Sequence, residues 1–228
     1  MYIMDHYYII LILPTILLSL WAQFKVKSTF THFSHQNTIK AMTGAQAAAY
    51  LLKVNNIHDV KIEQIAGSLT DHYDPSSKIL RLSTPVYGQT SISAVGVAAH
   101  ETGHAIQHAI GYAPLGLRST LVPIANIGST IGSSIAIAGL IFSLPFLLNI
   151  GIILFAGAVL FYVITLPVEF DASRRAIAIL GKTNTLTADE LKGVKKVLGA
   201  AAMTYVASAL TAIMSIVRLI LLSRNKNN

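Results

Sequence analysis

Apolar residues in this chain gather into four long stretches separated by segments of ordinary polarity. The first, about Tyr7 to Gln23, reaches the roughly 20 residues of a spanning helix if Tyr2 to Met4 extend it. The second and third, about Thr120 to Leu144 and Phe146 to Leu166, carry no charge and part at Ser143-Leu144-Pro145, which predicts a tight reversal and a membrane hairpin. The fourth, about Gly199 to Leu222, continues a helix predicted to start near Ala188, because Thr187 and Glu190 match a capping box. Within the second stretch Gly128, Gly132 and Ala136 recur every four residues, a spacing that lets another helix approach closely.

About 90 residues of ordinary polarity lie between the first two stretches and can form a water-facing domain. Thr43 and Gln46 predict a capped helix over roughly Gly44 to Val54. Val60 to Ala66 and Lys78 to Ser83 read as short strands, with Asp74-Pro75-Ser76-Ser77 as turn chemistry between them. Ser91 to Ile110 then reads as a helix stopped by Gly111 and Pro114. The expected organisation is an N-terminal anchor (1–24), a small α+β domain (25–118), a transmembrane hairpin (119–168), a connection (169–196) and a C-terminal transmembrane helix with its tail (197–228).

Composition agrees with a membrane protein. Charged residues make up only 12% of the 228, about half the usual share of a soluble domain, and the mean hydropathy is +0.59. The absence of cysteine excludes disulfides, iron–sulfur clusters and thiolate zinc sites, so any metal must be held by His, Asp and Glu. The formal charge of +7 does not form a basic stripe interleaved with aromatics, and nucleic acid is not an expected partner. The first stretch follows Asp5 and precedes Lys25 and Lys27, the reverse of a signal peptide's charge order, so it reads as an uncleaved anchor. Most other basic residues flank the spans on one side: Lys40, Arg118, Arg174, Arg175, Lys182, Lys192, Lys195 and Lys196. The positive-inside rule therefore predicts that residues 25–118 and 169–196 are cytoplasmic and both termini extracytoplasmic. Arg218, near the end of the last span, is expected to snorkel toward the interface and to have no functional role.

The chemistry sits on the helix predicted for Ser91 to Ile110, where His100, Glu101, Thr102, Gly103 and His104 form the pattern H-E-x-x-H. Helical spacing puts the two histidines one turn apart on one face, within reach of a single zinc ion, with Glu101 turned to the side as a base for water. His108 continues the spacing but lies about 12 Å along the axis from His100, too far to share a metal. A third protein ligand is needed. His72 is a loop candidate, and Glu169 and Asp171, the only acidic pair at the edge of a span, are better ones. Spans two and three form a hairpin, so residues near 100 and near 169 fall on the same side of the membrane.

The runs Leu69 to Asp74, Leu80-Arg81-Leu82-Ser83 and Val97 to His108, with the segment Glu169-Phe170-Asp171-Ala172-Ser173, resemble the YugP-like family of bacterial membrane zinc metallopeptidases. The resemblance covers essentially the whole chain. It implies a zincin-like domain carrying one zinc ion per chain on His100 and His104, with Glu101 as general base, in a multi-pass protein of the bacterial cell membrane. By analogy with more distant membrane peptidases of the HtpX and CAAX-processing type, which use E-x-x-A-D, it implies Glu169 as third ligand. The final acid of that pattern is Ser173 here, so its carboxylate is missing or replaced by Asp171.

The sequence reading is therefore an α-helical membrane protein of about four spans, with a small α+β cytoplasmic domain acting as a zinc endopeptidase on a peptide or protein substrate at the bilayer surface. His72, Tyr87, Arg174 and Arg175 are candidate contacts to substrate or transition state. Lys78 to Ser83 is the candidate edge strand for an extended substrate. A non-catalytic zinc-binding scaffold is the main alternative. A site-2-type intramembrane protease fits less well, since the motif helix ends before the span begins and no L-D-G-like ligand motif appears.

Overall fold

The computed structural model describes residues 5–226, so the expected extension of the first span by Tyr2 to Met4 lies outside the described residues. In chain order its elements are α1 (Tyr8–Ser34), α2 (Gly44–Val54), β1 (Lys61–Ile65), β2 (His72–Asp74), β3 (Ile79–Ser83), α3 (Thr84–Tyr87), α4 (Ile92–Ala109), α5 (Ala113–Ile141), α6 (Pro145–Lys182) and α7 (Ala188–Lys226). The fold is mostly helical with one small sheet. Four of the helices, α1, α5, α6 and α7, are long and apolar enough to cross a membrane, which fits a membrane protein.

The described chain divides into two compact units. The first holds the residues up to Gln23, Gly116–Pro167, and those from Met203 onward. The glycines spaced along α5 are contact points: a Cβ on Gly128 would lie 2.3 Å from the Leu154 carbonyl oxygen, and one on Gly132 2.8 Å from the Phe155 nitrogen. Backbone-to-backbone approach of this kind is what small residues provide where lipid supplies no hydrophobic drive. Ala136, Leu140 and Leu148 continue the packing, together with Leu219 and Leu222 of α7. The reversal falls where it was expected, with Ser143 in a left-handed conformation (φ 54°) just before α6.

Arg218 corrects an expectation. It does not simply snorkel, for its guanidinium pairs with Asp5 at 2.6 Å and lies over the Tyr8 ring, and both partners are largely buried. Asp5 also accepts a hydrogen bond from the Tyr8 amide at 2.8 Å, so one carboxylate caps α1 and holds α7. Sequence spacing could not pair two residues this far apart in the chain.

The second unit comprises Phe24–Leu115 and Val168–Ala202. Here α2 is closed by the reciprocal Thr43–Gln46 capping box, and α7 begins with the matching Thr187–Glu190 pair. Ser91 caps α4 by accepting from the Ala94 amide, and Gly111 (φ +63°) follows its end. The three strands run in the order β1-β3-β2, with β1 parallel and β2 antiparallel to β3. One face of β3 turns Leu80 and Leu82 into a core with Phe30, Ala48, Val86 and Ala98. The other turns Arg81 toward Glu63 and Asp74, at 3.7 and 3.6 Å.

The strand proposed as an open edge is thus the central one, flanked on both sides. The reason is β2, three residues long and too short to leave an alternating pattern; it pairs His72 with Arg81 and Asp74 with Ile79 across the predicted Asp74 to Ser77 turn.

Candidate metal centre

The centre is built by α4 and α6, which meet at a residue without a side chain. A Cβ on Gly103 would stand 2.6 Å from the carbonyl oxygen of Ala172, so the helices can come this close only with glycine between the two motif histidines. Glu169, Ala172 and Ser173 fall at i, i+3 and i+4, one face of α6. That face is laid against the face of α4 that carries His100 and His104.

The Nε2 atoms of His100 and His104 lie 3.2 and 3.6 Å from the same Glu169 oxygen, Oε2. One donor atom from each of the three residues falls within 4.8 Å of the others. Two ligands of a tetrahedral zinc ion with bonds of about 2.0–2.1 Å stand about 3.3 Å apart, so the donors fit that metal in type, number and spacing. Glu169 is 2% exposed and His104 7%. Such groups are costly to bury unless paired or metal-bound.

The far nitrogens of both rings are also engaged. His100 Nδ1 lies 3.1 Å from the Ser173 hydroxyl, and His104 Nδ1 lies 3.0 Å from the Gln107 side-chain oxygen. Ser173 therefore stands where the E-x-x-A-D pattern has its final acid. Asp171 is turned away from the donor group: it accepts from the Gln107 amide at 3.0 Å, from Arg175 at 2.5 Å and from Arg174.

Glu101 shares the helix with both histidines and is buried. Burial pushes its carboxyl above the ordinary range, aided by the nearby charges of Glu169 and Asp71 and opposed by the histidines. Burial opposes a charge on His104 as well, but hydrogen bonding to Glu169 and the Glu101 charge outweigh it and raise that pKa.

The remaining sequence candidates lie outside the donor group. His72, on β2, is exposed, with Nδ1 2.8 Å from the Thr70 carbonyl and Nε2 3.4 Å from Arg81, which places it on the sheet face opposite the Leu80 and Leu82 core. Tyr87 ends α3 and packs at the edge of that core. Arg174 and Arg175 both pair with Asp171, and Arg175 also lies over the Tyr112 ring. His108 bonds the Tyr73 hydroxyl at 2.8 Å; burial raises that phenol to about 12.

Two residues that contact the histidines had no assigned role in the sequence reading, Ser173 and Gln107. A glutamine in an otherwise apolar stretch of α4, one turn from His104, was the available signal.

Residues 8–224 match the model of the family described as "Putative neutral zinc metallopeptidase", and the chain belongs to that family. It is 44% identical over 218 residues, 96% of this chain and 97% of the relative's, to the protein named "Putative membrane protease YugP" from Bacillus subtilis (strain 168). No solved structure matches the chain.

Proposed function

We propose that this chain is a membrane-anchored zinc-dependent endopeptidase that hydrolyses peptide bonds by activating water at the membrane surface. The observation that carries the reading is the convergence of His100, His104 and Glu169 on one point, with the Glu101 carboxyl on the same helix as both histidines. The description of the family and the name of the Bacillus relative support it. The helix bearing the motif is not among the four long apolar helices of the described residues, which favours a site outside the bilayer over an intramembrane one.

His100, His104 and Glu169 would hold the ion. Zinc bound there lowers the pKa of water toward 7 and polarises a carbonyl. Glu101 takes the proton of the attacking water and returns it to the leaving amine. The substrate is a peptide or protein, and the clustering of basic residues beside the spans supports a cytoplasmic site with both chain termini on the opposite side.

The test is cleavage of an unstructured protein by the purified full chain with zinc in detergent or lipid. Wild type should cut it, while Glu101→Gln should keep stoichiometric zinc and lose turnover. Equal behaviour of the two, without cleavage, would make the chain a zinc-binding scaffold. A reporter fused after Asn228 should report an extracytoplasmic location, and a cytoplasmic signal would reverse the orientation.

A further inference from the structure

We propose that Gln107 and Asp171 form a positioning relay that presets His104 to bind metal, an inference that rests on the metal-site reading above. Gln107 is fully buried. Its Nε2 lies 2.8 Å from the Val168 carbonyl oxygen and 3.0 Å from Asp171 Oδ2. A carbonyl and a carboxylate only accept, so the end facing them is the NH2 group and the other end is the oxygen. That oxygen faces His104 Nδ1 at 3.0 Å, so Nδ1 must carry the hydrogen and donate it. In the neutral ring the lone pair is then on Nε2, the nitrogen directed at the Glu169 side of the site.

Asp171, with the Val168 carbonyl, sets which way the amide sits, and it is itself held by Arg175 and Arg174. With an amide and two guanidinium groups on its oxygens, it serves the metal through Gln107 and not as a ligand. His100 is handled differently. Its Nδ1 partner is the Ser173 hydroxyl, which can rotate to donate or accept, so that ring's tautomer is not imposed from outside.

The experiment is zinc titration of the purified full chain in detergent, in competition with a chromophoric chelator, beside thermal melting of the zinc-free proteins. Wild type should bind one zinc and His104→Ala should lose it; if wild type binds none, the metal-site reading itself fails. Gln107→Leu should bind zinc roughly 10–100-fold more weakly. Asp171→Leu should also weaken binding, and the double variant should bind no more weakly than Gln107→Leu alone, because both act along one path. Asp171→Asn keeps an oxygen that accepts from the amide and should stay within a few-fold of wild type. Additive losses, or Asp171→Asn falling as far as Asp171→Leu while wild type binds zinc, would overturn the relay and make the Asp171 carboxylate a ligand. Should Gln107→Leu fail to fold, the comparison of the two Asp171 variants decides alone.

Discussion

Ser173 Oγ lies 3.1 Å from His100 Nδ1, while Glu169 Oε2, one turn earlier on the same helix, lies 3.2 Å from Nε2 of that ring. The two nitrogens of one imidazole are thus engaged by two residues of α6 at i and i+4. A metal-binding histidine whose far nitrogen is held in place binds metal more tightly, because the orientation of the ring is fixed in advance.

Ser173→Ala removes that support and should weaken zinc binding by about 10-fold or more, read by chelator competition. Ser173→Asp supplies a charged acceptor and completes the E-x-x-A-D pattern. It should bind zinc at least as well as wild type, yet melt at a lower temperature without zinc, since it adds a carboxylate beside buried Glu169. Unchanged affinity in Ser173→Ala would remove the hydroxyl from the site.

Gly103→Ala tests the helix contact. Alanine is a better helix former by about 1 kcal/mol, so in an open helix the change would stabilise. Here the new Cβ would stand 2.6 Å from a carbonyl oxygen of α6, which backbone shifts alone can relieve, and overpacking of this kind costs about 1–3 kcal/mol. The variant should melt lower and lose zinc affinity together, because moving α6 moves Glu169. A variant with wild-type melting and zinc binding would contradict the contact.

Much of the fold was legible because it rests on local rules. The Thr43 and Thr187 caps, the glycine-spaced hairpin and the H-E-x-x-H face each follow from spacing within a few residues. The placing of His100 and His104 one turn apart on α4 was legible for the same reason. What could not be read depends on contacts between distant segments: the three-residue β2 that makes β3 central, the Asp5–Arg218 pair, and the positions of Ser173 and Gln107 behind the histidine rings. Spacing alone does not separate Glu169 from Asp171: positions i and i+2 of a helix differ by about 200° in direction, and only the position of α4 decides which of them meets the histidines. Glu169→Ala should accordingly cost far more zinc affinity than Asp171→Ala.

Asp74 provides a dependence on pH away from the site. Hydrogen bonds from the Ser76 hydroxyl, the Ser77 hydroxyl and both backbone amides hold its carboxyl well below the ordinary carboxylate range. A group with a depressed folded pKa contributes its stability in full above the unfolded value, about 3.9, and loses it as the pH falls through the folded value. Asp74→Ala should therefore melt below wild type at pH 6, and the gap should narrow on approaching pH 2. The gap should be no more than about 1 kcal/mol, because the turn is near solvent. A constant gap across this range would show that the carboxylate's charge does not matter to the β2–β3 turn.

The Asp5–Arg218 pair predicts a coupling between the first and last helices. Each is less than 20% exposed in its side chain, and α7 is apolar enough to span a bilayer, where an unpaired guanidinium is expensive. Asp5→Asn keeps the shape and hydrogen-bonding capacity but leaves Arg218 without its counter-charge, and breaking a largely buried pair costs about 3–5 kcal/mol. Arg218→Met instead removes the cation and leaves Asp5 as an N-cap for the Tyr8 amide, a milder loss. The double variant Asp5→Asn/Arg218→Met should melt above Asp5→Asn alone in detergent, because no charge is stranded. If the two single losses simply add in the double variant, the ion pair contributes nothing beyond its separate residues, and the link from Asp5 to α7 is not what holds these helix ends together.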